Sequence, residues 1–146
     1  MNTRTLVVAA TLIAISQGTA AACSLSTLKG AYGALATATA EVDGFLGDGY
    51  LVSRFIFDGA GKVQIKNGTA TAIGQSATFK GNGRYKLSSN CVGSLSFSMP
   101  FLGDNWRGRL NFVVTGTPSD HRILSTYTAT DGSLESGQLI LEKIGL

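Results

Sequence analysis

Histidine and tryptophan occur once each, proline and cysteine twice, and only 14% of the residues are charged. One histidine and two cysteines are too few for a zinc site of nitrogen and sulfur ligands. The scarcity of proline and the absence of a long polar tract exclude a disordered chain, and 19 aperiodic glycines exclude a collagen. The net charge of +3 is small and its cations look scattered along the chain, which argues against an electrostatic nucleic-acid binder. No apolar run approaches the roughly 20 residues that a membrane-crossing helix needs. At 146 residues the chain fits a single domain.

The first 22 residues, MNTRTLVVAATLIAISQGTAAA, have the three parts of an export signal. Arg4 supplies the charged start, Leu6 to Ile15 the apolar run, and Ala20-Ala21-Ala22 a small-residue cleavage site. Cleavage leaves residues 23–146 as one domain, and loss of Arg4 lowers its charge to +2. Cys23 would then be the first mature residue, which opens two readings. One is a lipoprotein anchored through Cys23, although Ala20 stands where such signals carry Leu, Val or Ile. The other is a disulfide to Cys91. Two cysteines in an exported chain allow a single bridge, whereas lipidation strands Cys91 as a free thiol, so parity favours the bridge.

The mature chain shows period-two alternation and little of period 3.6. Expected strands run over 31–39, 49–58, 62–73, 77–87, 92–99, 106–115, 122–130 and 135–144. Leu95, Phe97 and Met99 share one face of the fifth, and Ser94, Ser96 and Ser98 the other. Trp106, Leu110, Phe112 and Val114 share one face of the sixth. Asn67-Gly68 reads as a bulge or a tight turn, and Pro100 as the end of the fifth strand. About eight strands with short connections predict an all-β, antiparallel, up-and-down barrel, closed because closure removes the two exposed edges. A β-sandwich is the alternative. An outer-membrane barrel fits less well, because the first and third strands are too small and polar for a lipid-facing band.

The succession Cys23, Leu28-Lys29-Gly30-Ala31-Tyr32-Gly33, Phe57-Asp58-Gly59-Ala60-Gly61, Gly83-Arg84-Tyr85-Lys86-Leu87 and Asn90-Cys91-Val92-Gly93 resembles small exported bacterial proteins of unassigned role. These are similar to calycin barrels, and to the allene-oxide-cyclase-like barrel in particular. The resemblance implies a small barrel carrying the Cys23–Cys91 bridge. Tyr32 stands where lipocalins carry the tryptophan of their first-strand Gly-x-Trp signature. No catalytic residue transfers with the likeness.

Motifs that carry chemistry are few. No G-x-S-x-G elbow, P-loop or EF-hand spacing occurs. Ser119-Asp120-His121 puts three triad residue types side by side, but neighbours in sequence cannot converge as a triad, so His121 reads as an exposed loop residue. The carboxylates Glu41, Asp43, Asp58, Asp131 and Glu135 could supply a glycosidase-type pair only if two of them met in space. No metal site or cofactor is indicated. Arg107 and Arg109 must project from one side of a strand. Inside the barrel they would bind an anionic or carboxylate ligand; outside they would be solubilising surface, the reading favoured by the stronger claim of Leu110, Phe112 and Val114 to the interior.

Three functions follow. The first is a binding module for a small apolar or amphipathic ligand, with Trp106, Arg107, Arg109 and Tyr127 as candidate contacts. The second is a periplasmic or surface interaction or inhibitor protein acting through loops 43–49, 100–105 and 117–121. An isomerase or cyclase comes third. Neither nucleic acid nor a transmembrane segment is expected to partner or belong to the mature chain.

Overall fold

The computed structural model describes residues 22–42, 45–101, 104–129 and 134–144. Of the expected signal at 1–22, residues 1–21 lie outside the described residues. The rest is eight strands: β1 Gly30–Val42, β2 Phe45–Phe57, β3 Lys62–Ala72, β4 Gln75–Leu87, β5 Val92–Phe101, β6 Asp104–Thr115, β7 Arg122–Ala129 and β8 Leu134–Lys143. They form a closed antiparallel barrel in sequence order, so the alternative of two packed sheets is excluded. Closure is made by β1 against β8, in register from Tyr32 opposite Lys143 to Ala40 opposite Leu134, with one shift after Thr39.

Alternation decides what fills the barrel. Tyr32, Ala34 and Ala36 of β1, Phe55 and Phe57 of β2, Phe79 and Tyr85 of β4, Leu95 and Met99 of β5, and Leu110, Phe112 and Val114 of β6 are all buried. On β3 the apolar residues are Val63, Ile65, Ala70 and Ala72, which do not share one parity. A bulge corrects this. The register slips between Ile65 and Gly68, Asn67 takes φ 51°, and both apolar pairs face inward. Asn67-Gly68 is therefore a bulge within a strand. Asn82-Gly83, by contrast, interrupts nothing, and β4 runs straight through it.

One mouth of the barrel is stopped by the chain's own N-terminal segment. Leu25–Leu28 forms a 3-10 turn, with the Ser24 N–H donating to Thr27 Oγ1 (2.9 Å) and the Thr27 N–H to the Ser24 carbonyl (3.0 Å). Leu28 is fully buried and Leu25 packs on the core. The Tyr85 hydroxyl donates to the Leu25 carbonyl (3.0 Å). Beneath this plug the Phe57 ring meets Tyr32 and Tyr85 edge-on, at centroid distances of 5.2 and 5.0 Å. Such pairs contribute about 0.5–1.5 kcal/mol each beyond simple burial. The Cys23–Cys91 disulfide, with a Cα separation of 5.1 Å, ties the plug to the β4–β5 turn.

Strands extend further than their sequence signals. Gly47, Asp48 and Gly49 pair with Ala40, Thr39 and Ala38, so most of the expected 43–49 loop is strand. Pro100 lies opposite Asn105, inside the β5–β6 ladder rather than after it. A proline is tolerated where its missing N–H takes no part in the ladder. Of the three loops expected to display a binding surface, the described residues of 43–49 and 100–105 are strand, and the 117–121 region is a loop.

Candidate functional site

The interior is the first place to look, and it is nearly full. Three cross-strand pairs explain why. Phe79 lies opposite Gly68, Phe112 opposite Gly93 and Phe97 opposite Gly108. In each, the aromatic ring occupies the volume that a Cβ on the glycine would need. The rings therefore lie flat along the barrel wall and close the space that glycine opens. Among the described residues an apolar hollow of about 20 Å³ lies toward the end away from the plug. It is lined by Ala36, Leu51, Phe55, Phe97, Met99 and Leu139, among others, and no lining residue is polar. That volume suffices for about one water molecule, whereas an engineered apolar cavity that accepts benzene measures about 150 Å³.

Polar groups inside are sparse among the described residues, and none lines the hollow. Tyr32 is fully buried, its hydroxyl has no hydrogen-bond partner, and burial, with the neighbouring Tyr85, pushes its pKa up to about 12. Ser53 Oγ is likewise buried and unpaired. His121, expected on an exposed loop, is 7% exposed. It is held where the β6–β7 connection enters the barrel end, and its carbonyl accepts from the Lys143 N–H (3.1 Å). Burial first, then the Lys143 charge, lowers its pKa below the ordinary imidazole value. The sequence signal for this is weak, since Asp120 and Arg122 beside it are exposed.

Asp58 is the one described member of the candidate carboxylate set. It is exposed and caps its own turn, accepting from the Ala60 N–H (2.7 Å) and the Lys62 N–H (2.9 Å). Those two bonds hold its carboxyl below the usual range. The side chains of Glu41, Asp43, Asp131 and Glu135 lie outside the described residues. Among the described residues no three His, Cys, Asp or Glu side chains gather as a metal site.

Arg107 and Arg109 are exposed, on the outer face of β6, whose inner face holds Gly108, Leu110, Phe112 and Val114. They do not line the interior. The side chains of Trp106 and Tyr127 lie outside the described residues; their backbones pair with Met99 and Leu110. Of the four candidate contacts, the two with described side chains, Arg107 and Arg109, stand on the outer wall.

The outer wall carries both an apolar row and a basic face. The apolar row crosses six strands, from β5 through β6, β7, β8 and β1 to β2: Val92 opposite Val113, Val113 opposite Leu124, Leu124 opposite Ile140, Ile140 opposite Leu35, Leu35 opposite Val52. These six are 38–53% exposed. Even with Tyr50, exposed two residues from Val52, the row falls far short of the band of about 25 Å that a lipid-spanning barrel presents. Over β3 to β6 the wall is basic. Arg54 of β2 faces Lys66, and Lys80 stands opposite the bulged Lys66-Asn67. Lys62 faces Arg84, Arg84 faces Ser96, and Ser96 faces Arg109. Lys86 lies two residues along from Arg84, and Arg107 two from Arg109. Eight of the 12 Lys and Arg residues are gathered there, and no Asp or Glu occurs between Asp58 and Asp104 or between Asp104 and Asp120. The cations that look scattered in sequence are adjacent once the register is known. No family profile matches the chain, and no curated protein is detectably similar to it in sequence.

Proposed function

We propose that the protein is an exported, non-catalytic binding protein that works through the outside of a solid barrel. The observation that carries this reading is the packing of the described interior: its aromatic rings fill the space opposite Gly68, Gly93 and Gly108, and the apolar hollow beside them measures about 20 Å³. A barrel without room for a ligand serves as a rigid support for its wall. The disulfide supports export, since such bonds persist in oxidising compartments. The signal-like residues 1–22 point the same way. Native mass spectrometry of the purified, oxidised protein tests the reading. The expected mass is that of bare polypeptide with one disulfide. A co-purifying apolar molecule, retained in stoichiometric amount, would overturn it.

A second reading, a calycin-like carrier of a small apolar ligand, is favoured by one feature. The hollow is apolar on every side, and two of its walls, Leu51 and Phe97, are only half-buried. Ala34, Ala36, Ala70 and Ala72 keep the wall behind it low. A ligand entering from the end opposite the plug would displace those two side chains. Apolar-probe fluorescence that rises on binding, and is abolished by filling the hollow with Ala36→Leu, would establish this reading in place of the first.

A further inference from the structure

We infer that the basic wall of β3 to β6 is a docking surface for an anionic polysaccharide, one that bears uronate, sulfate or phosphate groups along a flexible glycan chain. The inference rests on the outer-wall reading and names its partner. It begins from a cost. Lys62 and Arg84 are direct cross-strand partners, and so are Arg54 and Lys66. Like charges so placed destabilise a sheet. Neither pair has a carboxylate between its members, and the nearest described one, Asp58, is engaged by the backbone of its own turn beside Lys62. The Nε of Arg54 is buried and unpartnered. An oxyanion laid on this wall would relieve the repulsion.

Spacing and curvature choose among polyanions. Neighbouring strands lie about 4.8 Å apart, and alternate residues along one strand about 6.7 Å apart. Arg84 and Lys86 are therefore about 6.7 Å apart, and Arg84 and Arg109, two strands apart across Ser96, about 9.6 Å. Between them stand uncharged hydrogen-bonding side chains, Gln64, Asn82, Ser96 and Asn111, all exposed. Gln64 and Asn82 are direct partners in the row next to Lys62 and Arg84. Such a mixture suits a chain that offers hydroxyls as well as charge. Among the described residues no outward-facing side chain on these four strands is aromatic, so the described wall offers single-stranded nucleic acid no stacking platform. A planar bilayer would touch a convex wall along one or two strands only, whereas the cations span four. A flexible glycan can follow the curve.

The test is titration of the oxidised protein with heparin and with polygalacturonate at low and moderate salt. Single-stranded DNA and vesicles containing anionic phospholipid serve as competing probes. Both glycans are expected to bind, more weakly as salt rises. Replacing two cations, as Arg84→Ser with Arg109→Ser, should weaken binding at least about tenfold, since two charge-assisted contacts are lost. Arg122→Ser, on the opposite half of the barrel where Arg122 pairs with Glu142 at 3.2 Å, should leave it unchanged. The inference is overturned if neither glycan binds at low salt. It is also overturned if Arg122→Ser weakens binding as much as the double change, or if DNA or vesicles outcompete the glycans at equal charge. An apolar probe run on the same samples separates the two proposals. Uptake of that probe refutes the solid barrel, while glycan failure with no uptake refutes only the choice of partner.

Discussion

Replacing Gly108 with alanine probes the filling of the barrel directly. Gly108 lies opposite Phe97, and an added Cβ would overlap the ring of that residue. The backbone at Gly108 is ordinary strand, so the conformational effect of the change is small and favourable. The steric effect dominates. Phe97 must swing toward the hollow, which at about 20 Å³ cannot receive a phenyl ring. Overpacking of this kind costs about 1–3 kcal/mol. Phe97→Ala alone removes a half-buried ring and should cost about 2 kcal/mol, less than the 3–5 kcal/mol of a fully buried one. The double variant is the informative one. Its two methyl groups occupy part of the space left by the ring, so the single costs should not add, and a coupling of about 1–2 kcal/mol in the stabilising direction is expected. Urea unfolding of the four proteins gives the cycle. A cost for Gly108→Ala below about 0.5 kcal/mol, or strict additivity, would refute the account of how this interior is filled.

Three further outcomes follow from the plug and the buried polar groups. Removing the disulfide as Cys23→Ser with Cys91→Ser opens a 68-residue separation and should cost about 4 kcal/mol by chain entropy, read as a fall in the urea midpoint at constant slope. Tyr32→Phe removes a buried hydroxyl that has no partner and should be neutral or stabilising, while Tyr85→Phe breaks the bond to the Leu25 carbonyl and should cost about 1 kcal/mol; equal costs in thermal melts would contradict the plug geometry. His121 binds its proton less readily folded than unfolded, so its contribution is fully present above its unfolded value of about 6.5 and is lost as pH falls toward the lower folded value. The thermal midpoint should decline between pH 7 and 5, above the carboxylate range, and His121→Gln should flatten that decline.

Much of the barrel is legible in the sequence because alternation survives in it. Leu95, Phe97 and Met99 on β5 and Leu110, Phe112 and Val114 on β6 declare an inner face without help. Strand ends are less legible. Pro100 reads as a stop, yet it sits inside a ladder where the β5–β6 pairing continues to Phe101 and Asp104. Asn67-Gly68 and Asn82-Gly83 look alike in sequence, but only the first has apolar residues of opposite parity on its two sides, and only it bulges. Burial of His121 depends on the N-terminal turn folding back over the barrel end, a long-range event that local polarity conceals. The basic wall was invisible for a similar reason. Its charges lie on four strands, β2, β3, β4 and β6, and become neighbours only through the register, which period-two patterning leaves free to slip in steps of two.

Backbone and methyl chemical shifts, followed during separate titrations with an apolar probe and with heparin, test the central claim most directly. A solid barrel with a working wall predicts that heparin perturbs the amides of Lys62, Arg84, Lys86 and Arg109, while the methyls of Ala36, Leu51 and Leu139 stay unmoved by either additive. Saturable shifts at those methyls on adding the apolar probe, with the wall amides silent throughout, would contradict it.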